Sequence, residues 1–155
     1  MKNNKLIIVF VLTTVFFSLV MCACADNEIE SKEEKVTQTI DGYLSSLKSH
    51  DIEKVDSFLS EDLKLKNNYS DEIIKNHYYT IEDCYLISID FDKFENTHSN
   101  IIVLVEYIIT YSEDYIPVGN IKNGENHLKR EFTLTEDDGK YIITDISYEY
   151  LVSAN

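Results

Sequence analysis

The spacing of apolar residues changes near Tyr78, and this change restricts the fold to helices followed by strands. Before Tyr78 apolar residues recur at helical spacing, whereas after it they alternate with polar residues. Residues 31–48 are predicted to form an amphipathic helix whose apolar stripe consists of Val36, Ile40, Tyr43, Leu44 and Leu47. Gly42 interrupts this helix at a cost of up to about 1 kcal/mol, and close packing against a sheet would explain its presence.

Two shorter helices are predicted between the long helix and the strands. Asp51 is a good N-cap for the first, and apolar residues follow it at helical spacing. Ser70 opens the second, and the acids after it lie at the positive end of the helix dipole. Between these helices residues 63–66 alternate and predict a brief strand.

The second half of the chain is predicted to form antiparallel strands. They cover residues 79–91, 101–111, 127–135 and 141–150. The second strand is apolar almost throughout and is therefore predicted to be central. The tetrapeptide Asp137-Asp138-Gly139-Lys140 predicts a hairpin between the last two strands. Helices followed by a strand meander predict an α+β fold in which the helices cover one face of the sheet.

The remaining segments of this half are predicted from the same patterns. Residues 92–100 are polar and predict a turn, and residues 112–126 predict an irregular connection. Strict alternation along the first strand places Tyr85, Ile87, Ile89 and Phe91 together on one face. Cys84, on the same strand, is expected to be a small buried hydrophobe.

Residues 1–23 are predicted to be a lipoprotein signal peptide. Lys2 and Lys5 form a positive region, and the sixteen residues 6–21 that follow carry no charge. At about 1.5 Å per residue these span about 24 Å, short of a hydrocarbon core of roughly 30 Å. A permanent membrane helix is therefore the less favoured alternative.

The end of this leader resembles a bacterial lipobox, in which a cysteine is alkylated with diacylglycerol and becomes the first residue after cleavage. Ala23 supplies the small residue required before Cys24, whereas Met21 does not supply it for Cys22. Cys24 is thus the predicted lipidation site, with Cys22 as the alternative. The other interpretation of the leader is secretion without a lipid anchor. Acyl chains on one cysteine would hold the protein to the outer side of the cell membrane. Residues 24–32 would form a tether.

Composition narrows the classes of function. Asp and Glu outnumber Lys and Arg by 28 to 14, and a net charge of −14 argues against nucleic-acid binding. Three cysteines do not make a disulfide scaffold, and no histidine or cysteine spacing typical of a zinc site is present, so no metal or cofactor is expected. Thirteen lysines against one arginine are typical of a low-GC Gram-positive bacterium.

Two stretches resemble nuclear transport factor 2-like domains of the cystatin-like superfamily. They are VTQTIDGYLSSLKSHDIEKVDSFLSEDLK at 36–64 and REFTLTEDDGKYIITDISYE at 130–149, and they bracket a domain at 33–151. The resemblance implies a curved antiparallel sheet wrapped on a long helix, forming a cone with an open mouth. The usual Trp of the closing strand is Tyr141 here. Because this fold hosts isomerases, dehydratases, binding modules and transport adaptors, the resemblance implies no single activity.

A candidate pocket is predicted from polar residues on the strands. Glu106 interrupts an apolar run, and Arg130, the only arginine, shares a face with apolar neighbours. If their strands pair, these two residues could form an ion pair, or they could line the cone as an acid and an anion-binding cation, because a buried carboxylate needs a partner. The alternative is that Glu106 faces outward on an edge of the sheet. Asp145 is expected to face solvent. The candidate pocket residues are Glu106, Tyr107, Arg130, Asp145 and Tyr148, and no catalytic residue is assigned.

These features predict a lipid-anchored, extracytoplasmic and non-enzymatic protein. It would bind a small molecule, a peptide or a partner protein at the cone mouth or the exposed sheet face. A further possibility is a purely structural accessory subunit that forms a homodimer through its sheet. The alternative is a small dehydratase-like or isomerase-like enzyme that uses Glu106 or Asp145 as base with a tyrosine hydroxyl.

Overall fold

The computed structural model describes residues 31–91, 100–147 and 150–154, the last segment by its backbone alone. The predicted signal peptide, Cys22 and Cys24, and nearly all of the tether lie outside the described residues. So do residues 92–99 of the predicted turn, and Tyr148. None of the helices in the described segments is long and apolar enough to span a membrane.

The long predicted helix is present as α1, Lys32–Leu47. Glu33 and Glu34 occupy its first turn, where negative charge is favoured by the helix dipole. All five residues of the predicted apolar stripe are buried. The helix therefore forms because one face can be removed from water against the sheet.

Three short helices follow, and one of them corrects a prediction. Helix α2 is Ile52–Asp56 and helix α4 is Asp71–His77, both close to their predicted positions. Asp51 and Ser70 cap them, because their side-chain oxygens accept from the backbone N–H of Lys54 and Ile73.

The brief strand predicted at 63–66 is wrong, because Leu65–Asn68 is a short helix, α3. Its first backbone N–H, at Leu65, donates to the buried Asp56 carboxylate at 2.7 Å. At its other end the Asn68 side chain donates to the carbonyls of Asp62 and Lys64 at 2.7 and 2.9 Å. These bonds satisfy a helical turn that the alternation of side chains did not reveal.

Within the described segments, five antiparallel strands form one sheet. They are β1 Ile81–Asp90, β2 Asn100–Tyr111, β3 Gly124–Asp137, β4 Lys140–Ile146 and β5 Tyr150–Ala154. The order is β1-β2-β3-β4, and β5 pairs with the first half of β3. Strand β2 lies between β1 and β3, which confirms its predicted central place.

The strand predicted at 141–150 is divided, because β4 ends at Ile146 and β5 begins at Tyr150. Ser147 still contacts β3, since its backbone N–H donates to the Glu131 carbonyl and its hydroxyl accepts from the Glu131 N–H, both at 2.9 Å. Strand β3 is long enough to pair with β4 in its second half and with β5 in its first half.

The predicted face of β1 is also wrong, because the register shifts twice along the strand, between Ile81 and Asp83 and between Leu86 and Ser88. An extra residue at each shift reverses which side chains point inward. Tyr85 and Ile87 are consequently exposed, while Ile89 is half-buried against the core. Cys84 is buried, as predicted.

The hairpin between β3 and β4 is confirmed. Asp137 pairs with Lys140, and the two residues between them, Asp138 and Gly139, both have positive φ angles, of 47° and 78°. Two successive positive φ angles are what a two-residue hairpin turn requires.

Gly42 packs against a side chain rather than against the sheet. A Cβ added to it would lie 2.7 Å from the Phe58 ring. Phe58 is held by its backbone, because its carbonyl accepts from the Ile143 N–H of β4 at 2.9 Å. The segment after α2 is therefore held between α1 and β4, and a side chain at residue 42 would fit only if the Phe58 ring shifted.

Candidate functional site

A pocket of about 460 Å³ lies between α1, α4 and the inner face of the sheet. We call it the tyrosine-walled pocket. Among the described residues it is lined by Tyr43, Leu47, Tyr69, Ile73, His77, Tyr78, Ile81, Tyr107, Ile109, Tyr111, Val118, Leu128, Arg130 and Phe132.

Alternation along two paired strands builds the floor of this pocket. Tyr107 of β2 lies opposite Leu128 of β3, so both side chains point to the inner face. Phe132 lies on the same face and meets Tyr43 of α1 and Tyr107 edge-to-face, with ring centroids 6.1 and 6.4 Å apart. These geometries are favoured for aromatic pairs and hold the rings in place.

The mouth of the pocket is apolar and exposed. Tyr69, Ile73 and Val118 line it while remaining 47%, 43% and 52% exposed. The loop that carries Val118 is fastened to α4 by Asn76, whose side chain donates to the Ile116 carbonyl at 3.2 Å and accepts from the Ile116 N–H at 2.9 Å. Two of the elements that form the rim, α4 and the loop that carries Val118, are therefore joined directly.

Arg130 supplies positive charge to the pocket. It lies opposite Val105 on the inner face of the sheet, and its side chain is half-buried. Its Nε donates to the Ser147 carbonyl at 2.9 Å, which orients the planar guanidinium. Because arginine does not lose its proton in proteins, this charge is permanent.

The tyrosine hydroxyls around Arg130 stay protonated. Burial raises the pKa of Tyr43 well above its usual value, and the nearby Tyr78 and Tyr107 raise it further. Burial also raises the pKa of Tyr78, whereas Arg130 acts in the opposite direction on both groups. The two side chains are thus neutral phenols that can donate hydrogen bonds.

Glu106 does not pair with Arg130, so the predicted ion pair is wrong. Glu106 lies opposite Lys129 on the outer face of the sheet, whereas Arg130 is on the inner face. The Glu106 carboxylate instead contacts His127 Nε2 at 2.6 Å and Lys129 Nζ at 3.7 Å. Adjacent residues of a strand point to opposite faces, which is why Lys129 and not Arg130 reaches Glu106.

The candidate pocket residues that the structure describes also lie on two different faces of the sheet. Tyr107 and Arg130 line the tyrosine-walled pocket. Asp145 is exposed and lies opposite Thr133, on the outer face. Tyr148 is outside the described residues.

Several pocket residues were not predicted as such. Tyr43 was predicted only as part of the apolar stripe of α1, and His77, at the end of α4, was not among the candidate pocket residues. His77 meets Tyr115 edge-to-face, with ring centroids 5.7 Å apart. The alternation in β2 and β3 is the one signal that could have identified Tyr111 and Leu128 together with Tyr107.

The described lining contains no aspartate or glutamate. Within the described residues there is also no group of three or more histidine, cysteine or acidic side chains that could hold a metal ion. The chemistry offered by this pocket is therefore that of aromatic surfaces, phenol hydroxyls, an imidazole and one guanidinium.

Comparisons with known proteins bear on the fold. No protein-family model matches this chain, and no curated protein matches it either. A solved chain from Xanthomonas campestris, described as a calcium/calmodulin dependent protein kinase II association domain, matches with a TM-score of 0.50 and 17% sequence identity. The match covers 81% of this chain and 91% of that chain. It shows that the protein has the α+β, cone-shaped nuclear transport factor 2-like fold, as predicted.

Proposed function

We propose that this protein is a lipid-anchored, extracytoplasmic and non-enzymatic binding protein that holds a small molecule in the tyrosine-walled pocket. The observation that carries the proposal is the pocket itself. Its volume of about 460 Å³ lies within the range of small-molecule sites. Aromatic walls with a few polar groups are typical of such sites, because the walls bury the ligand and the polar groups orient it.

The positions of the carboxylates favour binding over catalysis. The alternative enzyme would use Glu106 or Asp145 as its base, and neither residue lines the pocket. A general base must lie within hydrogen-bond reach of the proton that it removes. The outer-face position of both carboxylates supports a binding role.

The test of binding uses 3-phenylpropanamide, a neutral and water-soluble aromatic probe. We expect saturation-transfer NMR to detect its binding to the full-length protein in lipid nanodiscs. Val118→Trp should weaken this binding about tenfold or more, because the indole would occupy the pocket mouth. The matched control is Ile116→Trp, since Ile116 belongs to the same loop, is 69% exposed and does not line the pocket. Equal signals in all three proteins would mean that the probe only partitions into the nanodisc, and would overturn the proposal.

The leader supports the location that we propose. Cys24→Ala should release the protein from membranes into the medium, because the thiol that receives the lipid is lost. Cys22→Ala is the matched control and should remain in the membrane fraction. Cell fractionation with immunoblotting measures both. A Cys24→Ala protein that stays with the membrane, or a mature wild-type protein that retains Met1 without a fatty acid by mass spectrometry, would contradict lipid anchoring at this residue.

A further inference from the structure

An exposed apolar surface extends from the mouth of the tyrosine-walled pocket onto the loop beside it. It consists of Tyr69, Ile73, Ile116 and Val118, and we call it the rim surface. Ile116 is the most exposed large hydrophobic residue in the described part of the chain, and it does not line the pocket. A ligand inside the pocket therefore leaves part of the rim surface uncovered. Exposed apolar residues that cluster in this way are typical of sites that another molecule covers.

The loop that presents Ile116 and Val118 is held in place along its length. Just before Ile116, the buried Tyr115 stacks on Tyr111 of β2, with ring centroids 4.1 Å apart. The backbone N–H and carbonyl of Ile116 are both hydrogen-bonded to α4. After it, the Val118 carbonyl accepts from the Ile121 N–H at 3.2 Å. Apolar side chains that are fixed in advance lose less conformational freedom when a partner binds them.

The segments that carry the rim surface are acidic. Asp71 and Glu72 open α4, and Glu113 and Asp114 precede Ile116 on the loop. All four carboxylates are exposed, and none of them forms an ion pair with another described residue. The same two segments, 71–77 and 112–123, contain only two lysines. An apolar surface beside such carboxylates is complementary to a partner that carries apolar and cationic side chains.

The same charges argue against two other occupants of the rim surface. A second copy of the chain would bring its own acids to a symmetric contact, and each copy carries a net charge of −14. An anionic lipid surface would be repelled by the carboxylates beside Ile73 and Ile116.

We propose that the rim surface docks a segment of a partner protein whose apolar side chains are flanked by lysines or arginines. The apolar side chains cover Ile73, Ile116 and Val118, and the cations lie beside the exposed carboxylates of α4 and the loop. This inference goes beyond the proposed binding of a small molecule, because Ile116 and the carboxylates do not line the pocket. Opposite charges at the edge of such an interface speed association, whereas the apolar contacts slow dissociation.

The experiment titrates two synthetic peptides into the full-length protein in phosphatidylcholine nanodiscs. They are acetyl-Lys-Leu-Ile-Leu-Lys-amide and acetyl-Glu-Leu-Ile-Leu-Glu-amide, which share an apolar centre and differ in charge. Methyl NMR follows Ile73, Ile116 and Val118, with the exposed Ile87 of β1 as the reference. We expect the cationic peptide to shift the three rim signals but not Ile87, and to bind about tenfold more tightly than the anionic peptide.

A single substitution separates the rim surface from the pocket. Ile116→Ser should weaken binding of the cationic peptide about tenfold, because it removes an apolar contact, and should leave binding of 3-phenylpropanamide unchanged. Ile87→Ser is the matched control, since it makes the same change at another exposed isoleucine, and it should bind both compounds as the wild type does.

A pair of double variants tests the charge. Glu113→Gln with Asp114→Asn should reduce the preference for the cationic over the anionic peptide. Glu136→Gln with Asp137→Asn removes the same charge from the exposed end of β3 and should keep the preference. An equal reduction in both double variants would mean that only net charge matters, and would overturn the proposal.

The remaining outcomes identify other occupants or separate the two proposals. Equal affinities for the two peptides, or shifts at Ile87 as large as those at the rim surface, would overturn the docking assignment. So would a wild-type oligomer that Ile116→Ser dissociates in analytical ultracentrifugation, or broadening of the Ile116 and Val118 signals by spin-labelled phosphatidylcholine. If the cationic peptide binds as expected and 3-phenylpropanamide does not, the rim assignment stands and the small-molecule function fails. The opposite result leaves the small-molecule function standing and overturns the rim assignment.

Discussion

At the scale of single residues, Glu106 and Arg130 have different surroundings because their side chains point to opposite faces of one sheet. Arg130 alternates with Leu128 and Phe132 and faces inward, while Glu106 alternates with the buried Val105 and Tyr107 and faces outward. Counting residues along each strand is enough to place the two side chains on opposite faces. This count contradicts the predicted ion pair and agrees with the alternative in which Glu106 faces outward.

Glu106→Gln should lower the free energy of unfolding by about 1 kcal/mol, because the change removes the charge that binds His127 and Lys129. The Glu106 side chain is only 24% exposed, so water screens this pair less than a fully solvated one. Urea unfolding measures the effect. Glu125→Gln, an exposed change on β3, is the control and should have little effect. Equal losses in both variants would argue that the Glu106 contacts contribute nothing specific.

At the scale of elements, local sequence patterns predicted the long helix and strand correctly, and they failed for elements that are short or irregular. The stripe of α1 and the alternation of β2 are long enough to define their own period. Helix α3 has four residues, and the Asp56 carboxylate that caps it comes from a different helix. The two register shifts of β1 depend on its pairing with β2, which no local pattern contains.

Gly42→Ala should destabilise the protein by about 1 kcal/mol, although alanine is the better helix former. The new methyl group would lie 2.7 Å from the Phe58 ring, and the overlap costs more than the gain in helix propensity. Thermal or urea unfolding measures the change.

The double variant with Phe58→Leu tests this explanation. In the Phe58→Leu background the Gly42→Ala change should be neutral or stabilising by up to about 1 kcal/mol, because the ring no longer occupies the space. Strictly additive effects of the two substitutions would mean that the Phe58 ring is not the obstacle.

At the scale of the whole molecule, the pocket is assembled from parts that are distant in the sequence. Tyr43 comes from α1, Tyr78 from the end of α4, and Tyr107 from β2. Each tyrosine also contributes to burial, so the walls of the pocket and part of the core are made of the same side chains. Stability and the proposed binding therefore depend on the same residues.

The burial of Tyr43 and Tyr78 predicts that the stability of the protein is sensitive to alkali. Burial raises the pKa of Tyr43 and Tyr78 above the value of about 10 that they have in the unfolded chain. The folded state therefore holds protons that the unfolded state loses, and stability is full below about pH 9 and falls as the pH rises above 10. One such tyrosine contributes a slope of up to about 1.4 kcal/mol per pH unit.

Urea unfolding between pH 8 and 11 measures this slope. Tyr43→Phe should make it shallower, because phenylalanine does not titrate, whereas Tyr85→Phe, at an exposed tyrosine of β1, should leave it unchanged. A free energy of unfolding that stays constant up to pH 11 would contradict the burial of both hydroxyls.

The sequence by itself determined the class of the fold, the long helix, the central strand and the hairpin at Asp138 and Gly139. Each of these follows from the spacing of apolar residues or from a turn sequence, and both involve residues that are neighbours in the chain. The tertiary structure alone decided that Arg130 stands among tyrosines from two helices and a second strand, that β1 shifts its register, and that β5 turns back along β3. These features depend on which distant segments pack or pair. The free energy of such a contact depends on both segments together, so the local sequence of one segment does not predict it.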